Sequence, residues 1–248
     1  LSATIRGWSI LNLIVLQETD FISAGLVRLS GRRLEYIIQV HRVEPGQRLR
    51  VGLLNGDIGF GTITTLTDQC VELKVELQYP PPPALPLTLV LALPRPKMLK
   101  RVIQHVTALG VKKLILLNSY RVEKSYWQTP WLGRDKIHRQ CLLGLEQAMD
   151  TRMPDIILRK RFKPFVEDEL PELAAGSRKL LAHPVAGEYC PIDIGETTTL
   201  AIGPEGGFIP YEVEKLQEAG FHPVHLGPRI LKVETVLPVL VSRLFPAR

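Results

Sequence analysis

Two short segments near the carboxyl end combine residue types suited to holding a ligand. In Gly203-Pro204-Glu205-Gly206-Gly207-Phe208 and Leu226-Gly227-Pro228-Arg229-Ile230-Leu231, glycine permits positive φ and close backbone approach, and proline stiffens the loop. A dinucleotide fingerprint would need glycine at 203, 205 and 208, but Glu205 and Phe208 stand at the last two, so that reading fails. No Walker lysine follows. Glu205, expected to be buried among backbone N–H groups, repels a polyphosphate and suits a cationic group such as a sulfonium. The same composition also fits a pair of tight βα turns with no ligand.

The elements that must carry these loops can be read from periodicity. Thr199 to Ile202 and Val224 to Leu226 are strand-like and run directly into the two loops, as in open α/β sheets whose ligands lie beyond the carboxyl ends of strands. Further strands are expected at Leu87 to Leu93, Lys113 to Leu117, Asp155 to Leu158 and Leu180 to His183. Helices are expected at Lys97 to Leu109, Gly133 to Ala148, Tyr211 to Ala219 and Val233 to Leu244, the last with Pro238 kinking or limiting its first turn. This alternation predicts a mainly parallel sheet covered by helices, an α/β domain. Upstream, short β-type runs (Arg50 to Leu54, Gly59 to Thr65, Val71 to Leu77) are separated by Asn55-Gly56-Asp57 and Thr67-Asp68-Gln69, the turn chemistry of a small β-barrel. The proline run from Pro80 to Pro83 is the seam, giving domains at 1–83 and 84–248.

Charge is distributed unevenly. Residues 95 to 165 carry 16 basic and five acidic side chains, residues 1 to 94 eight of each, and residues 166 to 248 seven basic and 12 acidic. The basic middle third suits a polyanionic partner, or solvated helix faces. Cys70, Cys141 and Cys190 lie far apart with no metal-ligand spacing, so neither a disulfide framework nor a metal site is expected. No apolar run approaches the roughly 20 residues of a membrane span, and the amino-terminal run has no cleavage signature. A cytoplasmic protein without membrane association is the expectation.

The two loop motifs, the second extended by Lys232-Val233-Glu234-Thr235, resemble those of the RsmE-type ribosomal RNA uracil-N3 methyltransferases of the knotted SPOUT superfamily. Further matching positions are Leu93-Pro94, Leu109-Gly110-Val111, Asn118-Ser119 with Arg121, Glu146-Gln147 with Arg152 and Pro154, and Pro45-Gly46. Only residues 1 to 10 lie outside the resemblance. It implies a PUA-like RNA-binding β-barrel followed by a SPOUT-type α/β trefoil-knot domain, working as a homodimer on small-subunit (16S) ribosomal RNA. It implies S-adenosylmethionine as cofactor, held by Leu181, His183, Gly203, Pro204, Glu205, Gly206, Gly207, Leu226, Gly227, Ile230, Leu231 and Thr235.

Uridine N3 becomes nucleophilic only as its proton leaves, so the reaction needs a base or a donor that stabilises the developing anion. Arg229 is the candidate for the anion or for holding the nucleotide, with a structural salt bridge as the alternative. Glu205 and Glu234 are candidates for attracting the sulfonium or removing the proton; at Glu234 the alternative is compensation of a helix terminus. Arg28, Arg32, Arg33, Arg42, Arg121, Gln147 and Arg152 are candidates for RNA contact, against surface ion pairing. No metal is required, since a sulfonium is already an activated electrophile. Trp127 and Trp131 flank Pro130 in a loop and suit packing, base stacking or a dimer contact.

The chain departs from the family pattern at three places. Glu35-Tyr36-Ile37-Ile38-Gln39 replaces paired histidines and arginines, Ala148-Met149-Asp150 replaces a small-Gly-Arg step, and Ile209 replaces a serine N-cap before Pro210. A non-catalytic RNA-binding or ribosome-assembly factor retaining the fold is the competing reading.

Overall fold

The computed structural model describes residues 12–41, 43–184 and 187–246. Its chain packs as two compact units: Leu1–Pro83 with Leu142–Met153, and Ala84–Cys141 with Pro154–Arg248.

In the first unit, β1 (Ile14–Leu16), β2 (Phe21–Ser23), β3 (Leu26–Leu29), β4 (Arg48–Leu53), β5 (Ile58–Leu66) and β6 (Val71–Tyr79) form one sheet in the order β1-β4-β5-β6-β3-β2. All pairings are antiparallel except β1 with β4. Alternation along these strands turns Val27, Leu29, Val51, Ile63, Leu73 and their neighbours inward, where Leu34 and Ile37 of α1 (Arg32–His41) join them. Ile37 is fully buried, a core position within the stretch that departs from the family pattern. The expected Asn-Gly turn joins β4 and β5, with Asn55 at φ 61°. That hairpin is why residues 142–153 belong to this unit. Asn55 N–H donates to the Thr151 carbonyl at 2.8 Å, Thr151 Oγ1 donates to the Gly56 carbonyl at 2.5 Å, and Leu145 packs on Leu13 and Val15.

The second unit holds a parallel sheet of β7 (Leu87–Ala92), β8 (Lys113–Leu117), β9 (Asp155–Arg159), β10 (Arg178–Ala182), β11 (Thr198–Ile202) and β12 (His222–Val224), in the order β12-β10-β11-β7-β8-β9. β11 is central and buried along its whole length, as parallel strands covered on both faces are. α2 (Pro96–Ala108) buries Leu99, Val102, Ile103 and Val106. It ends in a Schellman motif: Val111 N–H reaches the Val106 carbonyl at 3.2 Å, with Gly110 at φ 84°. α6 (Pro210–Glu218) ends the same way at Gly220. α3 (Arg134–Ala148) follows β8, and α7 (Val233–Leu244) carries Pro238 in its interior rather than stopping there.

Two features differ from expectation. β12 ends at Val224, not Leu226, because the His225 backbone turns to another partner: it receives Cys190 N–H at 2.8 Å and donates to the Glu188 carbonyl at 2.9 Å. Residues 162–173, unassigned from periodicity, are helical, with α4 (Phe162–Pro164), a π-turn (Phe165–Glu169) and α5 (Leu170–Leu173). The three cysteines are free thiols, and burial pushes the Cys141 thiol up to about 11.

Candidate active site

The parallel sheet reverses its winding between β7 and β11, with β8 and β9 on one side and β10 and β12 on the other. Such a switch point is where open α/β sheets form a crevice. A cleft opens beside it at the carboxyl ends of β10, β11 and β12, with an empty volume of about 720 Å³ that includes its open mouth. The first glycine loop contributes Gly203, Pro204, Glu205 and Gly207. The second contributes Leu226, Gly227, Arg229, Ile230 and Leu231. His183 lies on a third wall with Ala182 and Pro184, and Val233, Val236 and Leu240 of α7 form an apolar side.

Four residues expected at this cleft do not line it. Leu181 is fully buried within β10, and the wall begins one residue later. Gly206 faces Arg121 instead: a Cβ there would come 2.9 Å from Arg121 Cδ. Glu234 and Thr235 sit in the first turn of α7, whose cleft-facing positions are Val233 and Val236, one helical turn apart.

Glu205 is the main correction. It is exposed, not buried, and its carboxylate forms an ion pair with Arg95. Arg95 immediately precedes α2, at the end of the segment leaving β7, so the pair spans the switch point. The hydrogen bond and charge of Glu205 raise the Arg95 guanidinium pKa, with further contributions from Tyr126 and Glu234. Arg121, on the loop after β8, donates to the Gly206 carbonyl. Two cations from neighbouring strand ends thus hold the first loop from outside. Tyr126 stands beside them, its phenol pKa raised mainly by burial and then by its hydrogen bond to Glu123.

The glycines serve different needs. A Cβ on Gly203 would lie 3.0 Å from Phe208 N and 3.1 Å from Phe208 Cδ2, a tight contact to which Phe208 would have to yield. Phe208 is buried and packs on Phe162 with ring centroids 6.1 Å apart. Gly207 and Gly227 have φ of 75° and 113°, which side-chain-bearing residues rarely adopt. Gly227 N–H donates to His225 Nδ1 at 2.9 Å, and Tyr189 covers the His225 ring at 4.3 Å. Burial lowers the His183 pKa and favours its neutral imidazole.

Arg229 is exposed at the cleft and has no carboxylate partner among the described residues. Arginines of the first unit are arranged otherwise. Arg28 pairs with Glu72 at 2.7 Å, Arg32 bonds both oxygens of Glu146 at 2.7 and 3.0 Å, and Arg33 bonds both oxygens of Asp20 at 2.5 and 2.6 Å. The Gln147 carbonyl accepts from Asn12 at 2.6 Å. Arg152 is exposed, and its N–H donates to Asp150 at 2.9 Å. Arg42 lies outside the described residues. Trp127 and Trp131 are half-buried in 3₁₀ turns, with Trp127 donating to Asn118 at 2.8 Å and Lys100 lying 4.2 Å over the Trp131 ring. Arg95, His225 and the apolar side from α7 were not anticipated. The signal available for Arg95 was its position between a strand end and a helix start.

Residues 81–245 match the model of the RNA methyltransferase domain family. The chain belongs to that family. The chain is 28% identical over 229 residues to ribosomal RNA small subunit methyltransferase E of Treponema pallidum, covering 90% of this chain and 86% of the relative. It is 27% identical over 226 residues to the protein of the same name from a Synechocystis strain, covering 90% and 74%. Among solved structures, ribosomal RNA small subunit methyltransferase E from Neisseria gonorrhoeae, bound to S-adenosyl methionine, superposes with a TM-score of 0.73 at 20% identity, covering 94% of this chain and 95% of that one. A probable rRNA-methyltransferase from Porphyromonas gingivalis gives 0.70 at 23%, covering 94% and 95%. The architecture is therefore that of these methyltransferase structures, a PUA-like barrel sheet followed by a SPOUT-type α/β domain. Within the family member described here, no helix among the described residues is long and apolar enough to cross a membrane. No group of three or more His, Cys, Asp or Glu among those residues is arranged to hold a metal.

Proposed function

We propose that this protein transfers a methyl group from S-adenosylmethionine to small-subunit ribosomal RNA, with uridine N3 as the acceptor. The observation that carries the reading is the cleft at the ends of β10, β11 and β12, which joins both glycine loops beside the switch point of an RNA methyltransferase domain. Its fit to the cofactor rests on geometry. Gly227 leaves open space where a Cβ would stand, with Tyr189 Cε1 the nearest atom at 4.0 Å, and Val233, Val236 and Leu240 offer an apolar wall. His183, Gly203, Pro204, Glu205, Gly207, Leu226, Gly227, Ile230 and Leu231 would hold the cofactor, while Leu181, Gly206 and Thr235 lie outside the cleft lining.

Bound S-adenosylmethionine supplies a methyl group on a cationic sulfur, which needs no metal for activation. Arg229, exposed at the cleft, stabilises the negative charge that develops on the uracil carbonyls as N3 loses its proton. Glu205 is the cleft-lining carboxylate and is assigned both the attraction to the cationic donor and the N3 proton, with Arg95 holding it at the rim. Glu234, in the first turn of α7 and outside the cleft lining, is assigned no direct part in the transfer.

Residues 1–83 are assigned to RNA binding and 84–248 to catalysis, with residues 142–153 packing in the first unit. Arg121 and Arg152 are retained as RNA contacts. For Arg28, Arg32 and Arg33, RNA contact would require exchange of existing carboxylate partners. A homodimer is supported by exposed apolar side chains near the second loop, Ile192 at 65%, Ile230 at 82% and Val239 at 38%. Residues 188–194 clasp that loop and the end of α7, which supports the trefoil passage of the carboxyl end. The reaction is assigned to the cytoplasm, where ribosomal RNA is found.

The test is incubation of purified protein with S-adenosylmethionine and small-subunit ribosomal RNA, followed by nucleoside mass spectrometry. We expect 3-methyluridine. A different methylated nucleoside would overturn the acceptor, and absence of methylation alongside RNA binding would favour a non-catalytic assembly factor.

A further inference from the structure

Tyr120 is 79% exposed, further into solvent than any other aromatic residue described. Its backbone is nevertheless fixed. Tyr120 N–H donates to Glu212 Oε1 at 2.7 Å, and the other oxygen of Glu212 accepts Ile209 N–H at 3.0 Å. Glu212 is only 2% exposed, so one buried carboxylate fastens both the start of α6 and the loop after β8. Val122 N–H closes a turn onto the Ser119 carbonyl at 3.0 Å. The next residue, Arg121, grips the Gly206 carbonyl of the first glycine loop. Tyr211, adjacent to Glu212 in sequence, is 42% exposed.

An aromatic ring held out on a fixed backbone loses little freedom when a flat partner covers it. The neighbourhood selects the partner. Arg121 and Lys124 are exposed nearby in the chain, and the surrounding third carries 16 basic against five acidic residues. Unpaired bases are recognised by such aromatic and guanidinium surfaces, with the phosphates drawn to the cations. We propose that Tyr120 is a stacking platform for a base flanking the target nucleotide in single-stranded RNA. It is a positioning residue, and the assignment rests on the reading of this protein as an RNA methyltransferase acting on ribosomal RNA. Arg121 links the platform to the cofactor loop, so RNA seated on Tyr120 is aligned with the cleft.

The experiment compares wild type, Tyr120→Ala and Tyr120→Phe. It uses fluorescence anisotropy with a labelled single-stranded fragment of small-subunit ribosomal RNA, and calorimetry with S-adenosylmethionine. Because the ring is exposed, the variants should fold, and unchanged cofactor affinity verifies it. Tyr120→Ala should weaken RNA binding by roughly 5- to 150-fold, whereas Tyr120→Phe should bind like wild type. Wild-type RNA affinity in Tyr120→Ala would overturn the platform, as would equal weakening in both variants, which would trace the effect to the hydroxyl. Ring-dependent RNA binding by a protein that methylates no RNA would support the platform while refuting the proposed reaction.

Discussion

The two glycine loops do the same job by different means. The first is gripped from outside, by Arg95 at Glu205 and Arg121 at the Gly206 carbonyl, and a Cβ at its Gly203 would press tightly on Phe208. The second is braced from within, by His225 Nδ1 at Gly227 N–H, and its Gly227 is required by backbone conformation at φ 113° with open space around it. One loop therefore depends on distant side chains and the other on its own local geometry. A substitution should accordingly act through close contact at Gly203 and through backbone strain at Gly227, as also at Gly207 with φ 75°.

The largest effect is expected at Gly203→Val, whose branched side chain would drive into the Phe208 backbone. Affinity for S-adenosylmethionine should fall by roughly 100-fold by calorimetry; an affinity within twofold of wild type would separate this turn from the ligand. Gly227→Ala should cost about 1–3 kcal/mol of backbone strain, lowering both melting temperature and cofactor affinity. If melting is unchanged, conformation is not what demands glycine in the second loop. Arg95→Gln removes the cation opposite Glu205, leaving its carboxylate to act on a sulfonium without an internal rival. Preference for S-adenosylmethionine over its neutral demethylated product should then rise about two- to fivefold, most clearly at low salt. No change in that ratio would show that Glu205 does not sense the donor's charge.

The smallest effect tests the conformational rule away from the cleft. Met149 follows α3 at φ 55°, and Asp150 N–H reaches back to the Leu145 carbonyl at 3.1 Å. This is the helix-ending position that glycine normally occupies, and the family pattern has glycine there. Met149→Gly should stabilise the protein by about 0.5–1 kcal/mol in denaturant melts without altering cofactor affinity. A loss of stability would mean that the Met149 side chain, with its sulfur 3.2 Å from Arg50 Nη1, outweighs the strain.

Much of this frame was legible along the chain. Leu99, Val102, Ile103 and Val106 recur at helical spacing and are the buried face of α2, because a helix aligns residues three and four apart. The loops after β11 and β12 were visible because glycine and proline announce local backbone needs. The Ile209 departure proved mild: Glu212, three residues on, accepts the Ile209 N–H, supplying the reciprocal half of a capping box without a side-chain cap at 209. Periodicity failed at residues 162–173, where prolines and a π-turn interrupt the helical repeat.

Sequence by itself determined the alternating strands and helices and the two glycine loops that follow β11 and β12, since each depends on residues a few positions apart, whereas the packing of residues 142–153 in the first unit has no signature in local spacing. The tertiary structure alone decided which charges are already engaged. Arg95 meets Glu205 across 110 positions, Arg121 meets Gly206 across 85, and Arg32 meets Glu146 across 114. Such pairings follow from strand order in the parallel sheet and, for Arg32 with Glu146, from helix packing, neither of which carries a signature in the spacing of either partner. Glu205 was therefore recognisable as a carboxylate in a ligand loop, while its exposure and its cation became apparent only once β7 and β11 lay side by side.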